Sequence, residues 1–508
     1  MKKNPMVAVT SLALLTLAAC GTGEAVDLNG DADDVEGAVL QAAIGGEPDQ
    51  LDPHRTSAYF SFQVLENVFD TLVEPDENLE MQPALAESWD VSEDQLTWTF
   101  QLREDVTFHD GSEFTSADVV YSYERIIDEE LANAWRFDAV ESVEAPDDHT
   151  VEITVSAPTP NLLSNIGGFK GMAIVSEDNV ESDEISNNPI GTGPFSLASY
   201  TSGDQITLEA NPDYWGGAPE IAGVEFSFIS EPSTALAALS GGEIHWTDNI
   251  PPQQVEELDG SDSVDLEVIP SNDYWYLAMN INEEPWDDER VRQAIAYAID
   301  REAIIQAVSY GTAQENQLAI PEESVWYTEY SNYTHDLSEA ERLLEEADVD
   351  GGSIEFLATN EYPETVTAAQ IIADNLEPLG FEVSISQPDF STWLDDQNSG
   401  SFDMLMMGWL GNIDPDDFYY SQHHSDGGSN AQGYSNQDVD ELLESGRTET
   451  DEDARAEIYA EAAQIIADEA SYIYLYNPAV IQGWSPELSD YQARSDAAIR
   501  FRGAVLEE

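Results

Sequence analysis

The chain has 508 residues, of which 103 are acidic and 16 are lysine or arginine, so that its formal net charge is −87. This charge excludes a nucleic-acid-binding protein, because phosphate backbones need basic groups, and it excludes docking on anionic lipid through side-chain charge. Hydrophobic residues make up 42% of the chain and aromatic residues 10%, which supports a large folded core and excludes a disordered chain. At about 100–200 residues per domain, the length predicts several domains or one large interlocked unit.

The lysine content points to the solvent in which the protein works. Lys2, Lys3 and Lys170 are the only lysines, and arginine carries the other positive charges. A surface this acidic would repel itself strongly in dilute buffer, whereas at about 1 M salt the screening length falls to roughly 3 Å. We therefore interpret the composition as adaptation to a very salty medium.

Residues 1–20, MKKNPMVAVTSLALLTLAAC, have the organisation of a bacterial export signal. Two lysines precede an apolar run that is shorter than the roughly 20 residues of a membrane-spanning helix. The run ends in Leu-Ala-Ala-Cys, which resembles a lipobox, so we expect Cys20 to receive lipid and to become the first residue of the mature chain. An ordinary signal peptide with an incidental cysteine is the alternative. Cys20 is the only cysteine, which excludes an intrachain disulfide.

Residues 21–36 are small and acidic and predict a flexible tether, after which strand and helix patterns alternate and predict an α/β fold. Ser116 is predicted to cap a helix, and Ser338 with Glu341 to form a capping box. The spacing of apolar residues predicts strands near 38–44, 96–102, 151–155, 381–385 and 472–476, and helices near 62–73, 117–130, 291–304, 364–377 and 454–465.

Four blocks of sequence carry a resemblance to a known family. They are LDPH (51–54) with the segments 64–75 and 83–125, then NPIGTGPFSLASY (188–200) with 211–226, then VRQAIAYAIDREAI (291–304), and finally GWLGNIDPDDF (408–418). In this order and spacing they resemble the family 5 extracellular solute-binding proteins of ABC importers, the oligopeptide, dipeptide and nickel receptor group. The resemblance extends from about residue 38 to 485.

The resemblance implies a periplasmic-binding-protein-like type II fold, in which two lobes joined by a hinge close around a ligand and an additional domain is attached. The first lobe would be discontinuous and comprise 37–78, 191–278 and 477–508, the additional domain 79–190, and the second lobe 279–476. Such a protein would be a receptor without enzymatic activity or cofactor. We expect a monomer, lipid-anchored on the extracytoplasmic side of the cell membrane, that captures a peptide-like solute and delivers it to an ABC permease.

The segment MLMMGWLGNIDPDDFYY (404–420) is the most informative for the ligand site. In peptide-binding relatives, an aspartate shortly after the residue that matches Trp409 accepts the α-ammonium group of the ligand. Asn412 stands nearest to that position here and supplies no charge, so Asp414 is the second candidate, although its Asp-Pro turn is also a common structural feature. Dipeptide receptors hold the α-carboxylate with an arginine before the helix near 364–377, whereas this chain has Asn-Glu-Tyr-Pro (360–363). A dipeptide clamped at both ends is therefore not expected.

Aromatic residues are further candidates for ligand contact. Tyr274 and Tyr276 would share one face of a strand, with Trp275 on the other. Trp393 and Tyr59 are weaker candidates. Aromatic walls suit a cleft that accepts varied side chains, and packing in the core is an equally good interpretation of each residue.

Three alternatives remain open at this point. A receptor for a non-peptide solute, such as nickel or a metallophore, an opine or a sugar, would keep the fold and change the ligand. A secreted hydrolase with a carboxylate pair would need two acids in one cleft, and no motif nominates them. His423-His424 invites a metal site, but neighbouring residues on a strand face opposite ways and no HExxH or cysteine motif supports them. We predict no metal site.

Overall fold

A computed structural model describes residues 37–169, 171–410 and 413–507 of the chain. The predicted signal peptide with Cys20, the tether 21–36 and Asn412 lie outside the described residues. In the described part, no helix combines the length and the apolar character that crossing a membrane requires.

Strands occur along the whole described chain, and most are six residues long. They are Val39–Ile44 (β1), Val73–Pro75 (β2), Met81–Pro83 (β3), Ala86–Val91 (β4), Thr97–Leu102 (β5), Val140–Asp147 (β6), Thr150–Val155 (β7), Phe195–Thr201 (β8), Gln205–Ala210 (β9), Gly223–Phe228 (β10), Trp246–Thr247 (β11), Asp265–Pro270 (β12), Tyr274–Met279 (β13), Gln314–Glu315 (β14), Gly352–Leu357 (β15), Phe381–Ser386 (β16), Met404–Trp409 (β17), Tyr472–Asn477 (β18), Ala479–Trp484 (β19), Leu488–Ser489 (β20) and Val505–Leu506 (β21).

The longer helices lie mainly in the second half of the chain. The helices are Tyr59–Leu65 (α1), Ser116–Asp128 (α2), Leu162–Gly167 (α3), Glu177–Glu181 (α4), Pro232–Ser240 (α5), Val255–Leu258 (α6), Glu289–Ala298 (α7), Arg301–Ser309 (α8), Leu337–Ala347 (α9), Pro363–Leu376 (α10), Phe390–Ser399 (α11), Pro415–His423 (α12), Gln437–Gly446 (α13) and Glu452–Asp468 (α14), with short 3-10 turns at Ala134–Phe137, Pro252–Gln254 and Glu377–Leu379.

Three larger sheets organise the molecule. A seven-stranded sheet, in the order β12-β19-β11-β1-β10-β9-β8, forms the centre of what we call the first lobe. A six-stranded sheet, β14-β18-β13-β17-β15-β16, forms the centre of the second lobe, and a four-stranded antiparallel sheet, β4-β5-β7-β6, forms the additional domain. Each sheet packs at least one face against a buried apolar cluster, and the six-stranded sheet has a cluster on both faces, because alternate residues of its strands point to opposite sides.

The chain crosses between the two lobes twice, at adjacent places. The first crossing, residues 271–273, joins β12 to β13, and the second, Pro478, joins β18 to β19. In the first lobe β12 pairs with β19, and in the second lobe β13 pairs with β18. The crossings are also bonded to each other, since Ser271 N donates to Pro478 O at 2.9 Å and Asn477 Nδ2 donates to Asp273 O at 2.8 Å.

This arrangement changes the predicted boundary between the first and the second lobe. The sequence placed the end of the first lobe at 278, within β13. All six residues of β13 pair with β17 of the second lobe, from Tyr274 opposite Trp409 to Met279 opposite Met404. The second lobe therefore begins at Tyr274, because β13 is a central strand of its sheet.

Acidic residues and asparagine begin many of the helices. Asp288, Asp300, Asp389 and Asp451 each accept a hydrogen bond from a backbone N–H of the first helical turn, as does Asn436. A carboxylate at this position satisfies a free N–H group and interacts favourably with the helix dipole. An unusually acidic chain thus uses part of its charge for helix capping.

Two predicted caps are displaced along the chain. Thr115, rather than Ser116, caps α2 and forms a capping box with Asp118. The predicted box of Ser338 with Glu341 does not form, because Asp336 accepts hydrogen bonds from Ser338 N and Glu339 N and begins α9 earlier.

Candidate functional site

The two lobes and the additional domain meet along an interlobe cleft that contains three cavities, which we call the hinge cavity, the middle cavity and the large cavity. The hinge and middle cavities share Glu66 and Asp496 in their walls, and the middle and large cavities share Arg136. The cavities are therefore neighbours along one cleft. Clefts between lobes are where hinged proteins enclose small ligands.

The hinge cavity lies beside the first crossing between the lobes and has a volume of 30 Å³. A space of this size holds about one or two water-sized groups, so the lobes are closed upon each other here. Helix α1 supplies one wall, and the residue after β17 supplies the opposite one. The walls are formed by Tyr59, Phe62, Gln63, Glu66, Asp273, Leu410, Asp496 and Ala497.

The middle cavity, also 30 Å³, contains an ion pair that joins the additional domain to the second lobe. Arg136 Nη1 lies 3.6 Å from Asp417 Oδ2, and the two side chains are only 6% and 3% exposed. Asp417 stands in the first turn of α12, and Arg136 belongs to the 3-10 turn of the additional domain. Because it spans the cleft, this pair is a contact that exists only when the lobes are closed.

The large cavity has a volume of 290 Å³ and lies between the additional domain and the second lobe. This volume is near the lower end of the roughly 300–1,000 Å³ of small-molecule pockets. Arg447 lies in its wall, with its guanidinium 4.0 Å from the ring centre of Tyr420 and its Nε 3.2 Å from Asp416 Oδ2. Trp135 and Asp138 face them from the additional domain.

The pKa values of acids in and around the cleft are shifted in opposite directions, according to whether burial or nearby arginines dominate. Burial raises the pKa of Asp248, next to the hinge cavity, to about 6, and a hydrogen bond from Gln63 only partly opposes this. Burial raises the pKa of Asp416 to about 7 although Arg447 favours its charged form. Burial also opposes ionisation of Asp496, but Arg494 and Arg500 outweigh it and hold its pKa below the ordinary value.

Of the residues predicted to bind ligand, Trp409 and Tyr59 lie nearest to the cleft. Trp409 ends β17 and is half-buried, and the residue after it, Leu410, is 48% exposed and lines the hinge cavity. Tyr59 begins α1 and contributes its ring to the same cavity. Asn412 lies outside the described residues.

Asp414 has a structural partner for each of its carboxylate oxygens. Arg455 donates Nη2 to Oδ1 and Nη1 to Oδ2, both at 2.6 Å, and both side chains are buried. Asp416 N also donates to Oδ1 at 3.0 Å, so that Asp414 caps α12. A ligand ammonium would have to displace Arg455 to reach this carboxylate. Of the two interpretations of the Asp-Pro turn, the geometry favours the structural one.

Tyr274, Tyr276 and Trp393 are each only 1% exposed and pack in one core cluster of the second lobe. Tyr276 stacks on Tyr472 with ring centres 3.9 Å apart, and Tyr274 lies edge-on to Tyr474 at 5.5 Å. The two tyrosines share a face as predicted, and Trp275 packs into the cluster on the other face. In this closed arrangement all three candidates serve as core residues, because α12 and α14 cover the face on which the tyrosines lie.

The segment before α10, which lacks the arginine of dipeptide receptors, has aromatic side chains instead. Tyr362 is 38% exposed and packs edge-on against Phe390 at 5.7 Å and Trp275 at 6.2 Å. Burial raises the pKa of Glu364, in the first turn of the same helix. This part of the second lobe therefore presents aromatic rings and an acidic side chain in the segment where the sequence lacks an arginine.

The histidine pair lies at the end of α12. His423 is completely buried between Ser471 Oγ and Tyr474 Oη, each 2.9 Å from a ring nitrogen. His424 stacks on Tyr420, with ring centres 4.6 Å apart. Across the described ranges, no three His, Cys, Asp or Glu side chains converge in a way that could hold a metal ion.

The sequence comparison decides the family. Residues 80–430 match the model of the bacterial extracellular solute-binding proteins, family 5. The chain belongs to this family. The mixed α/β architecture with two lobes and an additional domain is accordingly the predicted type II periplasmic-binding-protein fold.

Individual relatives cover nearly the whole chain. The dipeptide-binding protein of Escherichia coli K12 is 29% identical over 448 residues, which are 81% of this chain and 84% of that protein. The structure of the ABC transporter-associated periplasmic binding protein DppA from Helicobacter pylori with the peptide STSA is similar with a TM-score of 0.81 and 27% identity, covering 93% of this chain and 98% of that one. AgaA of Agrobacterium tumefaciens R10 with agropinic acid gives 0.81 and 27%, covering 93% and 99%.

Several residues of the family 5 cleft were not predicted. Gln63, Arg136 and Asp417 come from distant parts of the chain, and only the fold brings them to one cleft, with Asp248 bonded to Gln63 beside it. Asp417 lies within the segment singled out after β17. Arg136 could have been noticed because it is one of few cations, but nothing in the spacing connects it with Asp417.

Proposed function

We propose that this protein is the lipid-anchored receptor of an ABC importer, and that it captures a peptide-like solute and delivers it to the membrane permease as a monomer. The observation that carries the proposal is the closed cleft, whose walls come from both lobes and the additional domain of a family 5 protein. The anchor would be lipid on Cys20, outside the cell membrane. No covalent change of the solute is part of this function.

The cleft supports release as well as capture. Along the hinge and middle cavities the lobes are joined by contacts that include the ion pair of Arg136 with Asp417, and such contacts can break when the lobes open. Opening would hydrate Arg136 and Asp417 and merge the three cavities into one open groove. A peptide is the favoured solute because the relatives that cover most of the chain include a dipeptide-binding protein and a structure with the peptide STSA.

A second candidate is a receptor for an opine-type solute, which is favoured by the similarity to AgaA with agropinic acid. It would use the same closure and a different set of contacts. The acidic and aromatic surroundings of Tyr362 weigh against an anionic group at the start of α10.

The deciding experiment is mass spectrometry of the small molecules that leave the protein on denaturation. The protein is purified in about molar salt with Cys20 replaced, so that no lipid is attached, and a parallel preparation is incubated with a peptide digest before washing. Recovered peptides support the proposal and report their own length. A recovered opine, sugar or metal chelate would overturn the peptide assignment and keep the receptor. Turnover of the added peptides would overturn the receptor function.

A further inference from the structure

We infer that the hinge cavity receives a cationic group of the ligand, an ammonium such as the amino terminus of a peptide, and that Gln63 and Asp248 recognise it. This inference rests on the proposed function and names the charge that the receptor selects. It assigns the recognition to the first lobe, on the opposite side of the cleft from the Trp409 loop.

The orientation of the Gln63 side chain is the first observation. Gln63 is 1% exposed, lies in α1 and lines the hinge cavity. Its Nε2 donates to Asp248 Oδ2 at 2.5 Å, and a carboxylate can only accept in such a contact. The amide is thereby fixed with its oxygen directed away from Asp248. Within the described ranges this Oε1 has no hydrogen-bond partner, although it is buried.

The second observation is the missing countercharge of Asp248. Its Oδ1 is buried and also lacks a hydrogen-bond partner, and none of the described arginines or histidines forms an ion pair with its carboxylate. Glu66 and Asp496, in the wall of the same cavity, do have cations: Arg500 Nε lies 3.6 Å from Glu66, and Arg494 Nε lies 3.1 Å from Asp496. Asp248 is thus a half-buried acid whose buried Oδ1 lacks the partner that such atoms normally require.

The remaining walls fit an organic cation. Asp273 lines the cavity from the first crossing, and both Asp248 and Asp273 act on the hydroxyl of Tyr59, whose pKa burial and these two charges raise. Tyr59 and Phe62 supply aromatic rings, which attract cations electrostatically. The volume of 30 Å³ suits one ammonium group rather than a whole residue. An anion would meet acceptors and carboxylates here and be repelled.

The test compares two peptide mixtures, one of tetrapeptides with free amino termini and one of the same tetrapeptides acetylated, both without lysine and arginine. Binding is measured by titration calorimetry at about molar salt and pH 7.5, where Asp248 is ionised. For the natural protein we expect the acetylated mixture to bind at least about tenfold more weakly. Asp248→Asn should weaken binding of the free amines about tenfold or more and abolish the difference between the mixtures.

Two further variants separate recognition from folding. Gln63→Met keeps the volume and removes the acceptor, and it should reduce the preference for free amines while the thermal melting curve shows a folded protein. Asp204→Asn is the matched control, since it removes one carboxylate from an exposed turn of the same lobe, between β8 and β9. It should leave both affinities unchanged.

The outcomes distinguish this inference from the function on which it rests. Equal binding of both mixtures by the natural protein, or an unchanged preference in folded Asp248→Asn, would overturn the cation site and leave the peptide receptor standing. Binding of neither mixture would overturn the peptide function itself, and with it the inference.

Discussion

Arg455 and Asp414 form a buried bidentate ion pair between α14 and the start of α12. Arg455→Met would leave the Asp414 carboxylate buried without its cation, which typically costs about 3–5 kcal/mol. We expect a loss of this size in the free energy of unfolding, measured by denaturant titration in molar salt. Arg342→Met is the control, because Arg342 is half exposed on α9, and it should change stability little. An equal small effect of both changes would contradict the structural role of the pair.

His423 provides a pH-dependent prediction at the same scale. Burial lowers its pKa to about 3, against about 6.5 in the unfolded chain. Between these values the unfolded chain binds the extra proton, so acidification favours unfolding, by up to about 1.4 kcal/mol per pH unit. The stability of the fold with neutral His423 is therefore fully present above pH 6.5 and is lost as the pH falls toward 3.

The measurement for His423 is the difference in unfolding free energy between the natural protein and His423→Gln from pH 7.5 to pH 4.5. Asp248 and Asp416 titrate in both proteins, so their contributions to the difference in unfolding free energy largely cancel. We expect the advantage of the natural protein to shrink steadily below pH 6.5. Parallel curves would show that His423 is not held neutral by burial.

The site could be predicted from the sequence only in part at this scale. Trp409 and Tyr59 were nominated because a loop after a buried strand and a turn-rich loop mark a cleft rim, and their contact with ligand stays a prediction. The alternation of β13 predicted that Tyr274 and Tyr276 share a face, but not whether that face meets ligand or core. Asp248 carries no local signal, since its importance comes from Gln63 and from the absence of a nearby cation.

At the scale of elements, the segment Gly-Thr-Gly-Pro (191–194) shows why turns between domains tolerate little change. Gly191 N donates to His109 Nδ1 at 3.2 Å, and His109 Nε2 lies 3.0 Å from Gly193 O. A Cβ at Gly191 would lie 2.0 Å from Val68 O, a backbone atom that cannot swing away. The sequence predicted a turn here, while the close approach to Val68 follows from the early end of α1 at Leu65, where a helix to 73 was expected.

We therefore expect Gly191→Ala to lower the free energy of unfolding by about 1–3 kcal/mol, the range for overpacking a tight site. Gly428→Ala is the control, because no atom lies within 4 Å of a Cβ built there and its backbone needs no unusual angle. Melting temperatures of the two variants in molar salt give the answer. A Gly191→Ala protein as stable as Gly428→Ala would mean that the approach to Val68 relaxes freely.

The LDPH block illustrates what a family motif does within the elements. Asp52 accepts two hydrogen bonds from Arg125 in α2, and His54 Nε2 donates to Ala173 O at 2.8 Å. These contacts fasten the additional domain to the first lobe. The sequence could use this block, together with the other three, to indicate the family, but the partner of each residue becomes known only from the fold.

At the scale of the whole molecule, Arg136 and Asp417 link the additional domain to the second lobe only when the cleft is closed. Asp417→Asn would remove the carboxylate charge that lies 3.6 Å from Arg136 in the closed form and so would weaken this link across the cleft. We expect the ligand-free variant to be more open, with a larger radius of gyration by small-angle X-ray scattering than the natural protein. Asp204→Asn should not change it. An unchanged radius would mean that other contacts determine closure.

The net charge of −87 also acts on the whole molecule. Because most of this charge lies on the surface, repulsion favours unfolding when the screening length is long. We expect cooperative melting in about molar potassium chloride and a lower melting temperature, or loss of structure, after dialysis into dilute buffer. Circular dichroism during a salt titration measures this. A melting temperature independent of salt would contradict adaptation to a salty medium.

The two crossings between the lobes form a ribbon two strands wide, since β12 and β19 continue directly into β13 and β18. Such a ribbon bends easily across its width but resists shear and in-plane rotation. We therefore expect the lobes to open by rotating about one axis that runs across the two strands. Asp273 belongs to the ribbon and to the wall of the hinge cavity. A charged group of the ligand in this cavity would therefore lie next to the crossings about which the lobes rotate.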